Sequence, residues 1–198
     1  DSNSKSIRKI IEILIDARIL LPCYHSNGNN PLKAEIDYTV YKNYFMDIGL
    51  VNCMHGISFT TIEAEVASSF TTKGAIAEQF VAQHLSMGWN GPTVPSELFY
   101  WLKDKDIKKS EIDFIVQTAD GDILPIEVKS ETGGSLKSLF YFCFEKNISQ
   151  ALKLSLSPLE VSKIQHKIGE KKVVVQLKNI PIFCVEQLTK NNVQSFKN

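Results

Sequence analysis

Apolar residues recur at helical spacing at Ile7, Ile10, Ile11, Leu14 and Ile15, behind Ser4 or Ser6 as a cap, and predict an opening helix. Residues 19–24 and 31–35 flank the polar run Ser26-Asn27-Gly28-Asn29-Asn30, a pattern that predicts a hairpin with a flexible tip. From residue 38 to 50, YTVYKNYFMDIGL alternates aromatic with polar positions and reaches Asp47-Ile48-Gly49, a strand running into a turn. Between residues 60 and 85 the periodicity predicts two helices. The second begins near Thr72 and carries Ile76, Ala77, Phe80, Val81, His84 and Leu85. A Gly/Pro cluster at 88–95 closes it, and ELFYWL at 97–102 follows as an apolar strand. Residues 103–109 form a loop tip with Lys103, Lys105, Lys108 and Lys109, which phosphate contact or plain solvation would explain. Gly133 and Gly134 lead into a helix carrying Leu136, Leu139, Phe140 and Cys143. Residues 151–156 and 173–177 read as strands, 180–185 as a short element of open type, and the tail from Lys190 as frayed.

One stretch, SEIDFIVQTADGDILPIEVKS at 110–130, carries both a fold signal and a chemical one. Two β-branched, aromatic-rich strands flank Ala119-Asp120-Gly121, where glycine suits the left-handed position of a three-residue loop. Thr118 then pairs with Asp122, and counting outward sets Asp113 opposite Glu127. Directly opposed residues share a sheet face, and Lys129 joins Glu127 because side chains alternate with period two. A two-residue Asp-Gly loop would pair Asp113 with Val128 and split the set, so the register decides whether the three meet. Two carboxylates and a lysine on one face suit a divalent metal such as Mg²⁺ and the hydrolysis of a phosphodiester. They equally suit a salt-bridge ladder.

Composition narrows the field. Hydrophobic residues make up 43% of the 198, which excludes disorder, and no apolar run is long enough to cross a bilayer, so a soluble, cytoplasmic protein without a membrane partner is expected. Lys+Arg and Asp+Glu both number 22, leaving no general basic field for nucleic acid, and only Arg8 and Arg18 could read bases in bidentate fashion. Cys23, Cys53, Cys143 and Cys184 are widely spaced and suit reduced thiols. The repeated Cys-x-His at Cys23/His25 and Cys53/His55 matches no common zinc spacing. No signal peptide is visible, and a chain that opens on Asp1 is expected to be a piece of something longer. It contains no G-x-x-x-x-G-K-[ST] phosphate loop.

The order of Gly74-Ala75-Ile76-Ala77-Glu78, Leu98-Phe99-Tyr100-Trp101, Glu111-Ile112-Asp113-Phe114 and Ile126-Glu127-Val128-Lys129 resembles the PD-(D/E)XK, or restriction-endonuclease-like, nuclease superfamily. More narrowly, it is similar to the nuclease-like C-terminal domain of unknown function carried by many bacterial and archaeal AAA-type ATPases. KNYFMDIGL at 42–50 is similar to that family's entrance into the domain. The resemblance covers roughly residues 5–190. It implies an α/β fold, a mixed central sheet flanked by helices, over 41–198. Residues 1–40 are then a partial winged-helix-like segment or a linker, as the helix-plus-hairpin pattern also suggests.

Carried over position by position, the resemblance makes Asp113, Glu127 and Lys129 the catalytic set and Asp113, Glu127 and Glu78 the ligands of a Mg²⁺ cofactor. The implied partners are an ATPase module of the same polypeptide and DNA. No arginine follows Trp101, which departs from the family pattern. Two functions follow: a Mg²⁺-dependent DNA phosphodiester hydrolase, or a catalytically silent module that binds DNA or a protein and regulates the ATPase.

Overall fold

The structure is a computed structural model that describes residues 2–56, 73–91, 93, 95–103, 110–130 and 134–193. The helix expected before residue 72 and the lysine-bearing loop at 104–109 lie outside the described residues. Helix α1 (Ser2–Asp16) leads to strand β1 (Leu20–Ser26), a 3₁₀ turn (Leu32–Glu35) and strand β2 (Ile36–Phe45). Helices α2 (Ile48–Met54) and α3 (Lys73–Gly88) follow, then β3 (Leu98–Lys103), β4 (Ser110–Gln117) and β5 (Ile123–Val128). Helix α4 (Lys137–Glu145) crosses to β6 (Gln150–Ser155), the hairpin β7 (Glu160–Ile168) and β8 (Lys171–Pro181) comes next, and a 3₁₀ turn (Ile182–Gln187) completes the order.

All eight strands form one mixed sheet in the order β2-β1-β3-β4-β5-β6-β8-β7. It is parallel where β1 meets β3 and where β5, β6 and β8 run together, and antiparallel elsewhere. This is the mixed α/β architecture that the resemblance implies, with an apolar core on each face. Ala77, Val81 and Leu85 of α3, four residues apart along one helical stripe, pack with Leu21, Tyr100, Phe114, Ile126, Leu154 and Val185. Leu139, Phe142 and Cys143 of α4 pack on the other side with Trp101, Ile112, Ile115 and Val175. Each fully buried Leu, Ile or Phe contributes about 1.5–3 kcal/mol.

Two expectations are corrected near the start of the chain. Residues 31–35 do not pair as the second arm of a hairpin. Leu32 is drawn into the core, the Ser26 hydroxyl donates to the Leu32 carbonyl at 3.1 Å, and the chain coils through a 3₁₀ turn before β2 starts at Ile36. The boundary expected after residue 40 falls inside β2, and β1 is bonded to β3 through Cys23–Leu98 to His25–Tyr100. Residues 1–40 thus supply strands to the main sheet. A strand also stands where the apolar pattern assigned none, β7, discussed below.

The central hairpin has the predicted register. Gln117 pairs with Ile123 and Phe114 with Ile126, and the Thr118 amide donates to the Asp122 carbonyl at 2.9 Å. Gly121 takes φ +89°, and a Cβ there would lie 3.2 Å from Asn30 Nδ2. Gly121→Ala is therefore expected to cost about 1–2 kcal/mol, read as a lowered urea midpoint, because an L-residue is strained at that φ. An unchanged midpoint would show that the loop relaxes into another turn type.

Strand β4 holds a feature no alternation rule foretells. Phe99 pairs with Ile115 but Trp101 with Ile112, so Asp113 and Phe114 together face the single residue Tyr100. That two-against-one count is a β-bulge, which bends a strand and redirects side chains. Its signature is visible in the cores: Ile112 and Phe114, two apart, lie on opposite faces of the sheet.

Candidate functional site

Helix α3 is fastened to β2 and to the start of α2 by two glutamines, and this fixes Glu78. Gln79, buried, accepts from the Phe45 amide at 2.8 Å and donates to the Phe45 carbonyl at 2.7 Å, acting as a short strand partner. Gln83 accepts from the Ile48 amide at 2.9 Å, at the first turn of α2. Glu78 Oε2 accepts from the Tyr44 hydroxyl at 3.2 Å and lies 3.8 Å from Lys42 Nζ. Lys42 Nζ also pairs with Glu111 Oε1 and sits 4.9 Å from the centroid of the Tyr100 ring.

Asp113 stands at the bulge. Its Oδ2 accepts from the Val128 amide at 2.7 Å, so a side chain takes over where the β4–β5 ladder stops. Burial pushes the Asp113 carboxyl up to about 8, repulsion from Glu127 and Glu78 adds to the rise, and the Val128 bond and Lys42 oppose it. A carboxyl so placed holds its proton near neutrality unless a cation arrives.

Glu127 is only 5% exposed. Its Oε1 accepts from Lys129 Nζ at 2.6 Å, while its Oε2 is buried without a hydrogen-bond partner. Burial raises its pKa as well, against the pull of the Lys129 ammonium, with Glu78 and Glu111 adding repulsion. For Lys129 burial disfavours the charge, but the Glu127 bond and the attraction of Asp113 and Glu78 outweigh it and raise the pKa. The Lys129 amide donates to the Leu154 carbonyl at 2.8 Å, continuing the β5–β6 pairing. Gly134 leaves room for the side chain: a Cβ there would fall 2.8 Å from Lys129 Cδ.

The structure therefore joins Glu127 directly to Lys129, sets Asp113 on the amide between them, and brings Glu78 within electrostatic reach of both acids. Among the described residues, no group of three or more His, Cys, Asp or Glu side chains lies close enough to hold a metal ion. Glu78 is thus drawn toward Tyr44 and Lys42 rather than into a triad with Asp113 and Glu127. His84 bonds the Phe80 carbonyl at 2.8 Å and packs against its ring at a tilt, as a satisfied helical histidine does.

Pattern reading passed over Lys42, Tyr44 and Glu111. The signals existed: Lys42 and Tyr44 alternate onto one face of β2, and Glu111 stands two residues before Asp113. A cavity of about 330 Å³ bordered by Lys42, Tyr44, His55 and Glu78 opens beside them. A larger cleft of about 750 Å³ lies at the turn end of the hairpin, between Asn30, Gly121 and Lys146, away from the acids. The four cysteines are free thiols, and burial pushes that of Cys23 well above its ordinary range. No helix among the described residues is long and apolar enough to cross a membrane.

No curated protein and no solved structure matches the chain. One family model does, a domain of unknown function, DUF4143, over residues 73–180. That span exceeds half of the chain and contains Glu78, Asp113, Glu127 and Lys129. The chain belongs to the DUF4143 family.

Proposed function

We propose that this chain is the restriction-endonuclease-like, C-terminal domain of an AAA-type ATPase and that it hydrolyses DNA phosphodiesters with Mg²⁺. The observation that carries the reading is the buried Glu127 with its unpartnered Oε2, beside an Asp113 that burial and repulsion hold near neutral pKa. A buried carboxylate oxygen without a partner costs of order 1–3 kcal/mol, and such expense is characteristic of a site awaiting a ligand. Asp113 and Glu127 would hold the cation, with Glu78 at one remove. A bound Mg²⁺ supplies Lewis-acid charge to the scissile phosphate. Lys129 holds and orients the attacking water and offsets the negative charge that builds on phosphorus-bound oxygens. The water oxygen forms the new bond to phosphorus and its proton passes to solvent, while the bond to the leaving sugar oxygen breaks and that oxygen takes a proton from solvent water.

A second reading has its own support. Asp113 Oδ2 already accepts from Val128, and Glu127 Oε1 is taken by Lys129. A silent module that binds DNA or a protein partner and regulates the ATPase would use the acids for structure alone.

Mn²⁺ or Mg²⁺ titrated calorimetrically into the full-length protein, ATPase included, separates the two readings. The nuclease reading expects one ion per chain and plasmid cleavage that EDTA stops. No uptake at millimolar metal, together with intact plasmid, would leave only the silent module.

A further inference from the structure

We infer that Lys42 and Tyr44 form a clamp on Glu78, a positioning device that holds this acid out of the site and sets its affinity for divalent cations. The inference rests on the metal-site reading above. Its geometry involves four elements. Lys42 and Tyr44 point from one face of β2, and both engage the same oxygen, Glu78 Oε2, the hydroxyl at 3.2 Å and the ammonium at 3.8 Å. Lys42 is itself anchored from β4 by Glu111 and from β3 by the face of Tyr100. Both lysine and glutamate side chains are under one-third exposed, so solvent screens the pair less than it would a surface pair.

The acid so held is the ligand that is missing from a three-acid group. Glu78 already lies near enough to repel both Asp113 and Glu127, yet the three do not converge. Restraint by β2 accounts for that: the helix brings Glu78 to the rim, and the clamp turns it toward Lys42. The cavity of about 330 Å³ beside Lys42 and Tyr44 gives the lysine side chain space to withdraw. A segment outside the family-matched residues, β2, therefore controls an acid inside them.

Mn²⁺ titrations of the full-length wild type, Lys42→Met, Lys42→Arg, Glu78→Gln and the Lys42→Met/Glu78→Gln double variant test this. Lys42→Met is expected to bind the ion about tenfold more tightly, the gain from freeing one carboxylate held by an interaction of roughly 1.4 kcal/mol. Lys42→Arg should restore wild-type affinity, and in the Glu78→Gln background the gain should vanish. If Lys42→Met tightens binding equally in that background, the lysine acts by charge alone and the clamp is overturned. If the wild type binds and Lys42→Met matches it, the clamp falls while the metal site stands. If no variant, Lys42→Met included, takes up the ion, both fall.

Discussion

Replacing Asp113 by asparagine is expected to stabilise the metal-free protein and to abolish the cation uptake proposed above. The wild-type carboxyl sits in a site where burial, Glu127 and Glu78 push its pKa up to about 8, from 3.8 in an open chain. Folding therefore takes up a proton between those values. This group's contribution to stability is greatest below about pH 4 and is lost progressively as pH rises toward 8. Asparagine carries no such slope and keeps an oxygen for the Val128 amide, which Asp113 Oδ2 serves at 2.7 Å. Denaturation in EDTA should show the variant's advantage widening by about 2 kcal/mol between pH 6 and pH 8. If the acid also holds the cation, Mn²⁺ should stabilise the wild type and leave the variant unmoved, and DNA cleavage should drop by about 10²-fold or more. A variant less stable than wild type at pH 8 would mean that Asp113 is an ordinary structural acceptor.

Whether a feature is set locally or by distant contacts separates what the chain announces from what it conceals. The β4–β5 register was legible down to two choices because local chemistry sets it: Gly121 suits a three-residue loop or a two-residue Asp-Gly loop, and the Thr118–Asp122 bond shows the first. Helix α3 was legible because Ala77, Val81 and Leu85 repeat at the helical period and bury one stripe. Strand β7 was not. Its inward positions are Ser162, Ile164, His166 and Ile168, half of them polar, and two isoleucines four apart suit a helical turn equally well. What holds β7 is non-local: a nine-pair ladder with β8 and the His166 ring stacked on Phe140 at 5.0 Å. The Gly169-Glu170 loop, with positive φ at the glycine alone, was the local hint of a two-residue hairpin.

The site divides the same way. Asp113, Glu127 and Lys129 could be placed by counting along one hairpin. The bulge at Asp113 could not, since it arises from the fit of β4 to β3, strands joined by a charged loop whose sequence says nothing about register. Lys42 and Tyr44 come from a strand three places from β4 in the sheet. Their distance from Glu78 depends on α3 lying over β2, which Gln79 and Gln83 fix through backbone atoms of Phe45 and Ile48. Amide contacts to backbone leave no pattern in a hydrophobicity profile.

Lys129→Met is expected to cost about 3 kcal/mol at pH 8, the magnitude of breaking a largely buried pair by removing one partner. The Lys129 ammonium is the hydrogen-bond partner of Glu127 Oε1, and Oε2 has none, so the variant would leave a carboxylate that is 5% exposed with both oxygens unmatched. Sign and pH window follow from the electrostatics. Burial already raises the Glu127 pKa, and Lys129 supplies both influences that lower it. Without them the pKa climbs further, and protonation relieves the unpaired charge. The deficit should therefore shrink as pH falls toward 5 and grow as it rises, which paired denaturation curves at the two pH values would read. Glu127→Gln/Lys129→Met should recover most of the loss, because the charge and its partner leave together, giving a coupling of at least about 2 kcal/mol in the double-mutant cycle. A deficit that is flat with pH and unrescued by the second substitution would mean that Lys129 contributes packing through its aliphatic stem, held against Gly134, rather than charge.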